Sequence, residues 1–443
     1  MTSGQSVSLP SPDPLPVIAT GVRLPWDDVV EDPVATLAGA RAHLGDTFLV
    51  DSGDDRYLFL FSPLGVAALY GLPEETASKG VADWRMLRRK LPDEVFAGRR
   101  VLPHQLFGRE DVATYLRNVE LAVEAAADEL GSEGEVDLFS LSRRLGHRVG
   151  LASWGGPGAA EGERFEALIR AFDRLDGSES FVHPDAMAHV AATDKAEERA
   201  ALAEVTARLG LGLEQRRVDG DEDEKEGQGG HTLFDRVVDA WADAEPEEAA
   251  TGICLDITLI HVASMSNLFA ALGWHLVDLM EHPDEAQQVR LGDTGRAETC
   301  ALESTRMAQR SIMARFTLAT FTMDLEDGPL EIPSGMTIAT LLPLTNCSAA
   351  PGLDHWDPAR WNRRRLRTPN GLAAAELVTV FGHGGHSCPA RPFSLAAMIL
   401  TSRRLLSQFR WELCSSEHPE PVRAQIGGVA RSAEPCRARY RRW

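Results

Sequence analysis

Residues 381–391, Phe-Gly-His-Gly-Gly-His-Ser-Cys-Pro-Ala-Arg, constrain this chain more than any other stretch. Cys388 ends a glycine-rich turn, and the apolar run from Leu395 to Leu405 reads as the helix that follows. A thiolate placed there meets unpaired N–H groups and the positive end of the helix dipole, both of which favour negative charge. Such a group is a soft ligand suited to iron. The residues alone leave three other readings open. Cys388 could be a buried free thiol. His383, His386 and Cys388 could be zinc ligands, although no second Cys/His cluster supplies a fourth. The glycines could cradle a phosphate, although their spacing is neither G-x-G-x-x-G nor G-x-x-x-x-G-K-S/T.

Residues 251–280 form the longest nearly uncharged helical run, interrupted only by Asp256, His261, His275 and Asp278. A helix apolar around most of its circumference belongs in the centre of a large helical protein. The run has too many polar breaks for a membrane span, and Pro283 stops it. Helical periodicity also starts near Asp111, with Tyr115, Val119, Val123 and Ala126 on one face, and recurs at 137–153 and 161–175. Two short apolar strands are expected at 47–50 and 57–61, across a turn at 52–55. Residues 215–230 are too polar to bury anything and read as a mobile acidic surface loop.

The net charge of −21 over 443 residues repels phosphate backbones and excludes a nucleic-acid partner. Six cysteines without framework spacing, and no apolar signal segment, point to a reduced, cytoplasmic setting. Residues 1–21, rich in Ser and Pro, read as an extended lead-in with no membrane anchor.

The pattern Phe-Gly-x-Gly-x-His-x-Cys, from Phe381 to Cys388, resembles the haem-binding loop of the cytochromes P450. The resemblance implies a mainly α fold, a helical bundle around haem with a small β-sheet region, and a single domain over 22–443. It implies haem b as cofactor, Cys388 as the thiolate ligand of its iron and His386 as a donor to a haem propionate. Phe381, Gly382, Gly384 and Gly385 would line the porphyrin, the glycines because a Cβ would collide with it. Ala390 stands where the family usually carries glycine.

Counting back from Pro283, Ala-Ser-Met-Ser-Asn-Leu at 263–268 aligns with the family's Ala-Gly-x-Asp/Glu-Thr-Thr. Ser264, Ser266 and Asn267 are therefore the candidate catalytic residues. In the usual enzymes the acid and the alcohol relay protons to dioxygen. Ser266 and Asn267 do not titrate near neutral pH, so delivery would run through water that they order. The Ala-Ser-x-x-Asn pattern is similar to the branch of sterol 7α-hydroxylases and prostacyclin synthase. That branch holds both monooxygenases and an enzyme that rearranges an existing peroxide.

Glu303 and Arg306 match Glu-x-x-Arg and share one helix face. With Arg360, from Trp-Asp-Pro-Ala-Arg-Trp at 356–361, they are expected to form a buried charge network. Arg315, nine residues past Arg306, is expected at a haem propionate, with His104 and Arg109 as further candidates. The pocket is expected to draw lining from 80–105 and 160–200. Similarity to the soluble bacterial type implies an oxygenase acting on a small organic molecule in secondary metabolism. Its electrons would come from a ferredoxin and ferredoxin reductase, docked at the arginines of 363–367. The other reaction class left open is an isomerase, dehydratase or group-transfer enzyme. It would open an O–O or N–O bond of its substrate without external dioxygen or reductant.

Overall fold

A computed structural model describes residues 15–443 except 27, 101–105, 109–111, 177–183, 224–231, 266 and 363–370. The chain opens with α1 (Pro33–Leu44), β1 (Thr47–Ser52), β2 (Asp55–Leu60), α2 (Pro63–Gly71), β3 (Ala77–Ser78) and α3 (Lys79–Leu87). The helical middle comprises α4 (Val112–Leu130), β4 (Glu133–Asp137), α5 (Leu138–Trp154), α6 (Gly162–Asp176), α7 (Pro184–Ala192), α8 (Ala196–Asp223) and α9 (Leu233–Asp239). It continues through α10 (Pro246–Met265), α11 (Leu268–Glu281), α12 (Pro283–Arg290) and α13 (Thr294–Met307). Then come β5 (Ile312–Thr317), β6 (Phe321–Leu325), β7 (Gly328–Ile332), β8 (Thr337–Leu341), α14 (Leu342–Ser348), α15 (Arg391–Gln408), β9 (Phe409–Leu413) and β10 (Arg437–Arg442).

The expected strand pair forms across a turn at Gly53, whose φ of +56° suits glycine. Its five-stranded sheet runs β1-β2-β8-β5-β3, with β2 and β8 parallel and the other neighbours antiparallel. Phe48, Val50 and Phe59 bury themselves on one face, and Leu49, Leu58 and Ile338 on the other. Burial on both faces is why these strands read as unbroken apolar runs instead of alternating ones.

The main core lies among the helices. Val119, Leu145, Phe172, Val205, Ile257, Leu272 and Phe393, from α4, α5, α6, α8, α10, α11 and α15, belong to one buried cluster. The predicted face of α4 is the buried one, with Tyr115, Val119, Val123 and Ala126 all at 5% exposure or less. By length and composition Pro246–Glu281 would pass for a membrane span, but 71% of its most apolar window is buried inside the fold.

Two expectations need correction. The run 251–280 is two helices, since α10 ends at Met265 and α11 starts at Leu268. The stretch 215–230 is not a loop throughout, because α8 continues to Asp223, while 224–230 lie outside the described residues. A charged sequence can still be helical, because helix propensity does not require burial.

Candidate active site

Cys388 lies one turn ahead of α15, whose N-cap position is Ala390. Its backbone N–H donates to the Phe381 carbonyl at 2.6 Å, which closes the loop. The backbone N–H groups of Ala390 and Arg391 address its Sγ and favour the thiolate, and the Arg391 N–H also donates to the Cys388 carbonyl at 3.3 Å. Burial pushes the thiol's pKa up, and those two amides oppose the rise by stabilising the thiolate. Ala390 has φ −82°, a value any residue adopts, so alanine serves there as well as glycine.

Gly382 is irreplaceable for a local reason. Its φ is +77°, and a Cβ would stand 2.6 Å from the His386 carbonyl oxygen. Gly384 also has positive φ, +60°, while at Gly384 and Gly385 a Cβ would meet no protein atom within 4 Å. The loop thus presents an open backbone face beside a thiol that two amides address, and this donor set fits a haem held through sulfur. We expect Gly382→Ala to cost about 1–3 kcal/mol, read from the shift in urea midpoint.

The zinc reading fails. His383 Nε2 is bonded to the Val378 carbonyl at 3.0 Å, and its ring sits edge-on to Tyr70. Among the described residues the only His/Cys/Asp/Glu trio with donor atoms within 4.8 Å of one another is Asp278, Glu281 and His418.

The charge network forms as expected. Glu303 and Arg306 are both fully buried and paired through two hydrogen bonds, 2.9 and 2.8 Å. The same carboxylate accepts from Arg360 Nε at 2.8 Å, Trp361 Nε1 at 2.8 Å and the Asp357 N–H at 2.9 Å. Burial pushes the Glu303 pKa up, but Arg306, the Asp357 amide and Arg360 outweigh it and hold the group below its ordinary value. Sequence reasoning missed the next link. Arg306 Nη1 donates to the Asn346 carbonyl at 2.7 Å, Asn346 and Thr379 exchange hydrogen bonds at 2.8 and 2.9 Å, and Thr379 Oγ1 accepts from the Gly382 N–H at 2.7 Å. The network therefore reaches into the Cys388 loop.

Arg315 and His386 do converge, on a residue that the sequence did not single out. Arg315 is fully buried on β5 and reaches Glu74 Oε2 at 3.2 Å, while His386 Nε2 stands 3.8 Å from the same oxygen. Arg315 also donates to the Ala77 carbonyl at 2.7 Å. Ser78 Oγ and the Gly80 amide bind the other Glu74 oxygen. Burial followed by the Arg315 charge lowers the pKa of His386. The Arg315 cation with the His386 ring as a hydrogen-bond donor suits the carboxylates of a haem. His104 and Arg109 lie outside the described residues.

At the break between α10 and α11, Asn267 has φ −127° and ψ −67°, and its backbone N–H bonds to Ser264 in place of Ala263. Its side-chain Nδ2 donates to the Ala263 carbonyl at 3.1 Å, the acceptor its own N–H would use in a regular helix. The side chain thus holds the break open. Ser264 Oγ likewise donates to a backbone carbonyl, that of His261, at 2.7 Å. Ser266 lies outside the described residues. Asn267→Ala is expected to change stability by about 1 kcal/mol at most. The Asn267 and Leu268 amides should gain protection from hydrogen exchange as the helix closes.

A second feature went unseen in the sequence. His261 and His147, both fully buried, meet at 2.9 Å between Nε2 and Nδ1. Trp154 Nε1 donates to His261 Nδ1 at 3.2 Å, and His147 Nε2 stands 3.2 Å from Asp173 Oδ1. One hydrogen placement satisfies the row: indole to His261, His261 to His147, His147 to the carboxylate. Burial lowers the pKa of both histidines, with the His147 charge adding to the effect on His261 and Asp173 opposing it on His147. An indole N–H cannot accept, so the row ends at Trp154 and relays no proton beyond His261.

No protein-family model matches the chain. Over 237 residues, 47% of its length, it is 29% identical to the cytochrome P450 monooxygenase pyr3 of Aspergillus fumigatus, covering 43% of that protein. Over 201 residues, 39% of its length, it is 26% identical to tryptamine 5-hydroxylase of Oryza sativa subsp. japonica, covering 37% of it. The cytochrome P450 monooxygenase CYP512U6 of Ganoderma lucidum is matched over 206 residues at 25% identity, 41% of this chain and 40% of that one. The chain thus spans about two fifths of the length of these relatives. Across the whole fold it superposes on a retinoic acid-bound cyanobacterial CYP120A1 with a TM-score of 0.71, covering 97% of this chain and 100% of that one at 18% identity. The chain has the cytochrome P450 fold, and over about two fifths of its length its sequence is similar to cytochrome P450 monooxygenases.

Proposed function

We propose that this chain is a haem-thiolate monooxygenase that uses haem b, dioxygen and electrons from a ferredoxin-type carrier to modify a small organic molecule. The observation that carries the reading is the Cys388 Sγ, met by two backbone N–H groups on the loop that Gly382 closes. When bound, the haem would supply the oxygen-activating chemistry. Cys388 would hold the iron, and Phe381 and the glycines would line its proximal side. His386 and Arg315 would face the haem carboxylates, close to Glu74. Ser264, Ser266 and Asn267 would order water at the α10–α11 break, since their own side chains do not titrate. The arginines of 363–367 lie outside the described residues, and the carrier's docking face is proposed from their charge alone. The cytoplasmic setting and a role in bacterial secondary metabolism rest on the charge, the cysteines and the resemblance.

A second reading has its own observation. Both described distal side chains, Ser264 and Asn267, donate to backbone carbonyls, and their pattern is similar to a branch that includes a peroxide-rearranging enzyme. That reading is an isomerase, dehydratase or group-transfer enzyme opening an O–O or N–O bond without reductant.

One experiment separates the two. Haem-loaded protein is incubated with metabolite extract from a strain lacking it, in one arm with surrogate carriers under heavy-isotope dioxygen and in the other anaerobically without reductant. A product labelled in the first arm alone supports the monooxygenase. An unlabelled product in both arms replaces it with the second reading.

A further inference from the structure

Asp278 and Glu281 stand three residues apart in the last turn of α11, the spacing that puts both carboxylates on one helix face. The connection from β9 to β10 brings His418 to them. His418 Nδ1 lies 2.8 Å from Glu281 Oε2, and one donor atom from each of the three residues lies within 4.8 Å of the other two. Tetrahedral zinc with nitrogen and oxygen ligands spaces those atoms by roughly 3.4 Å, between these limits.

Two of the donors are held from behind. Asp278 is 6% exposed; burial raises its pKa, and the Ser304 side chain opposes the rise. Ser304 Oγ in turn accepts from Trp356 Nε1 at 3.1 Å, which leaves its own hydrogen for the carboxylate. The His418 ring is stacked on Trp274 with centroids 5.5 Å apart, and the Trp274 indole is anchored on the Ala430 carbonyl. Backing of this kind orients the carboxylates and imidazoles that bind metals.

The group has a place for a cation. Among the described residues no lysine or arginine pairs with Asp278 or Glu281. A buried carboxylate beside a second acid is costly without a positive partner, and the half-exposed contact between Glu281 and His418 is worth little. Both acids also sit at the negative end of the α11 dipole, which favours a cation and opposes them. The side chains of Glu281 and His418 are 25% and 51% exposed, so the donors open directly to solvent.

We propose that Asp278, Glu281 and His418 bind a divalent cation of the zinc class, with water in the fourth position. One imidazole and two carboxylates suit zinc, whereas calcium asks for about six to eight oxygens and magnesium for a near-octahedral oxygen shell. With the imidazole neutral, the ligands carry the two negative charges that such an ion neutralises. None of them belongs to the Cys388 loop, and the site stands whichever reaction the protein performs. The ion fastens the connection between β9 and β10 to α11, the helix that starts at the Asn267 break.

The test titrates zinc chloride into tag-free, haem-loaded protein by calorimetry at neutral pH, after treatment with a chelator. One zinc per chain is expected, with a micromolar or lower dissociation constant that millimolar magnesium leaves unchanged. Glu281→Gln and His418→Ala, both at partly exposed positions, should each weaken binding at least about tenfold. Zinc should raise the midpoint of thermal unfolding in the parent protein and not in His418→Ala. Amides of 278–282 and 416–420 should gain protection from hydrogen exchange when zinc is added. Thermal unfolding without zinc shows whether each variant folds, and Glu281→Gln decides where His418→Ala does not. Affinity unchanged in the folded variants, or protection confined to other segments, means an adventitious ion only and overturns the proposal. No binding of zinc up to about a hundred micromolar overturns it as well.

Discussion

Glu303→Gln is expected to destabilise the protein by about 3–5 kcal/mol, the scale set by leaving a buried charge without its partner. Arg306 is fully buried, and Glu303 is its only carboxylate partner among the described residues. The carboxylate also organises three further donors, from Arg360, Trp361 and Asp357, which an amide of the same size cannot accept together. The damage should not stay local, because Arg306, Asn346 and Thr379 carry the network to Gly382. Urea denaturation should show the loss of stability, and transfer of haem to a scavenging apoprotein should be faster. Glu303→Asp, which keeps the charge, is expected to lose less. The pH dependence has a definite sign. The folded pKa of Glu303 lies below its ordinary 4.5, so its stabilisation is complete above the unfolded value and is lost as pH falls through the folded one. Glu303→Gln should lack that part of the acid limb, whereas an unchanged acid midpoint would separate Glu303 from acid unfolding.

Cys388→Ser should have the opposite profile, with the fold retained and the chemistry lost. A serine hydroxyl can accept the same Ala390 and Arg391 amides that address the sulfur, so stability should change by about 1 kcal/mol. A soft thiolate ligand, however, is gone. We expect the long-wavelength carbon monoxide band of a thiolate-bound haem to disappear and turnover to fall below detection. A variant that kept that band would place the ligand elsewhere than Cys388.

Much of this site was legible because its parts carry local signatures. The Cys388 loop announces itself through glycines whose spacing only an unusual turn requires, and the structure shows that need at Gly382. Glu303, Arg306 and Arg360 were readable from spacing and order along the chain. What the sequence hid lies in partnerships between distant positions. Glu74 is an ordinary acid until β5 brings Arg315 to it from 241 residues away. Asn346 shows nothing until its amide is seen to span Arg306 and Thr379. His147 and His261 are 114 residues apart, and each alone looks like a lone histidine on an apolar helix. The α10–α11 break was hidden for another reason. An apolar run keeps the same pattern whether or not one side chain takes over a backbone hydrogen bond, as Asn267 does.

The row from Trp154 to Asp173 has one further consequence. A hydrogen-bonded chain that can be drawn in two directions conducts, whereas one that can be drawn in a single direction is polarised. Here the indole fixes the sense, and every N–H in the row points outward toward the carboxylate. Burial lowers the pKa of both histidines, that of His261 well below its ordinary value, which favours the neutral rings that this alignment needs. Helix α10, which carries His261, therefore sits against an electric dipole built from side chains, with a sense that the indole fixes.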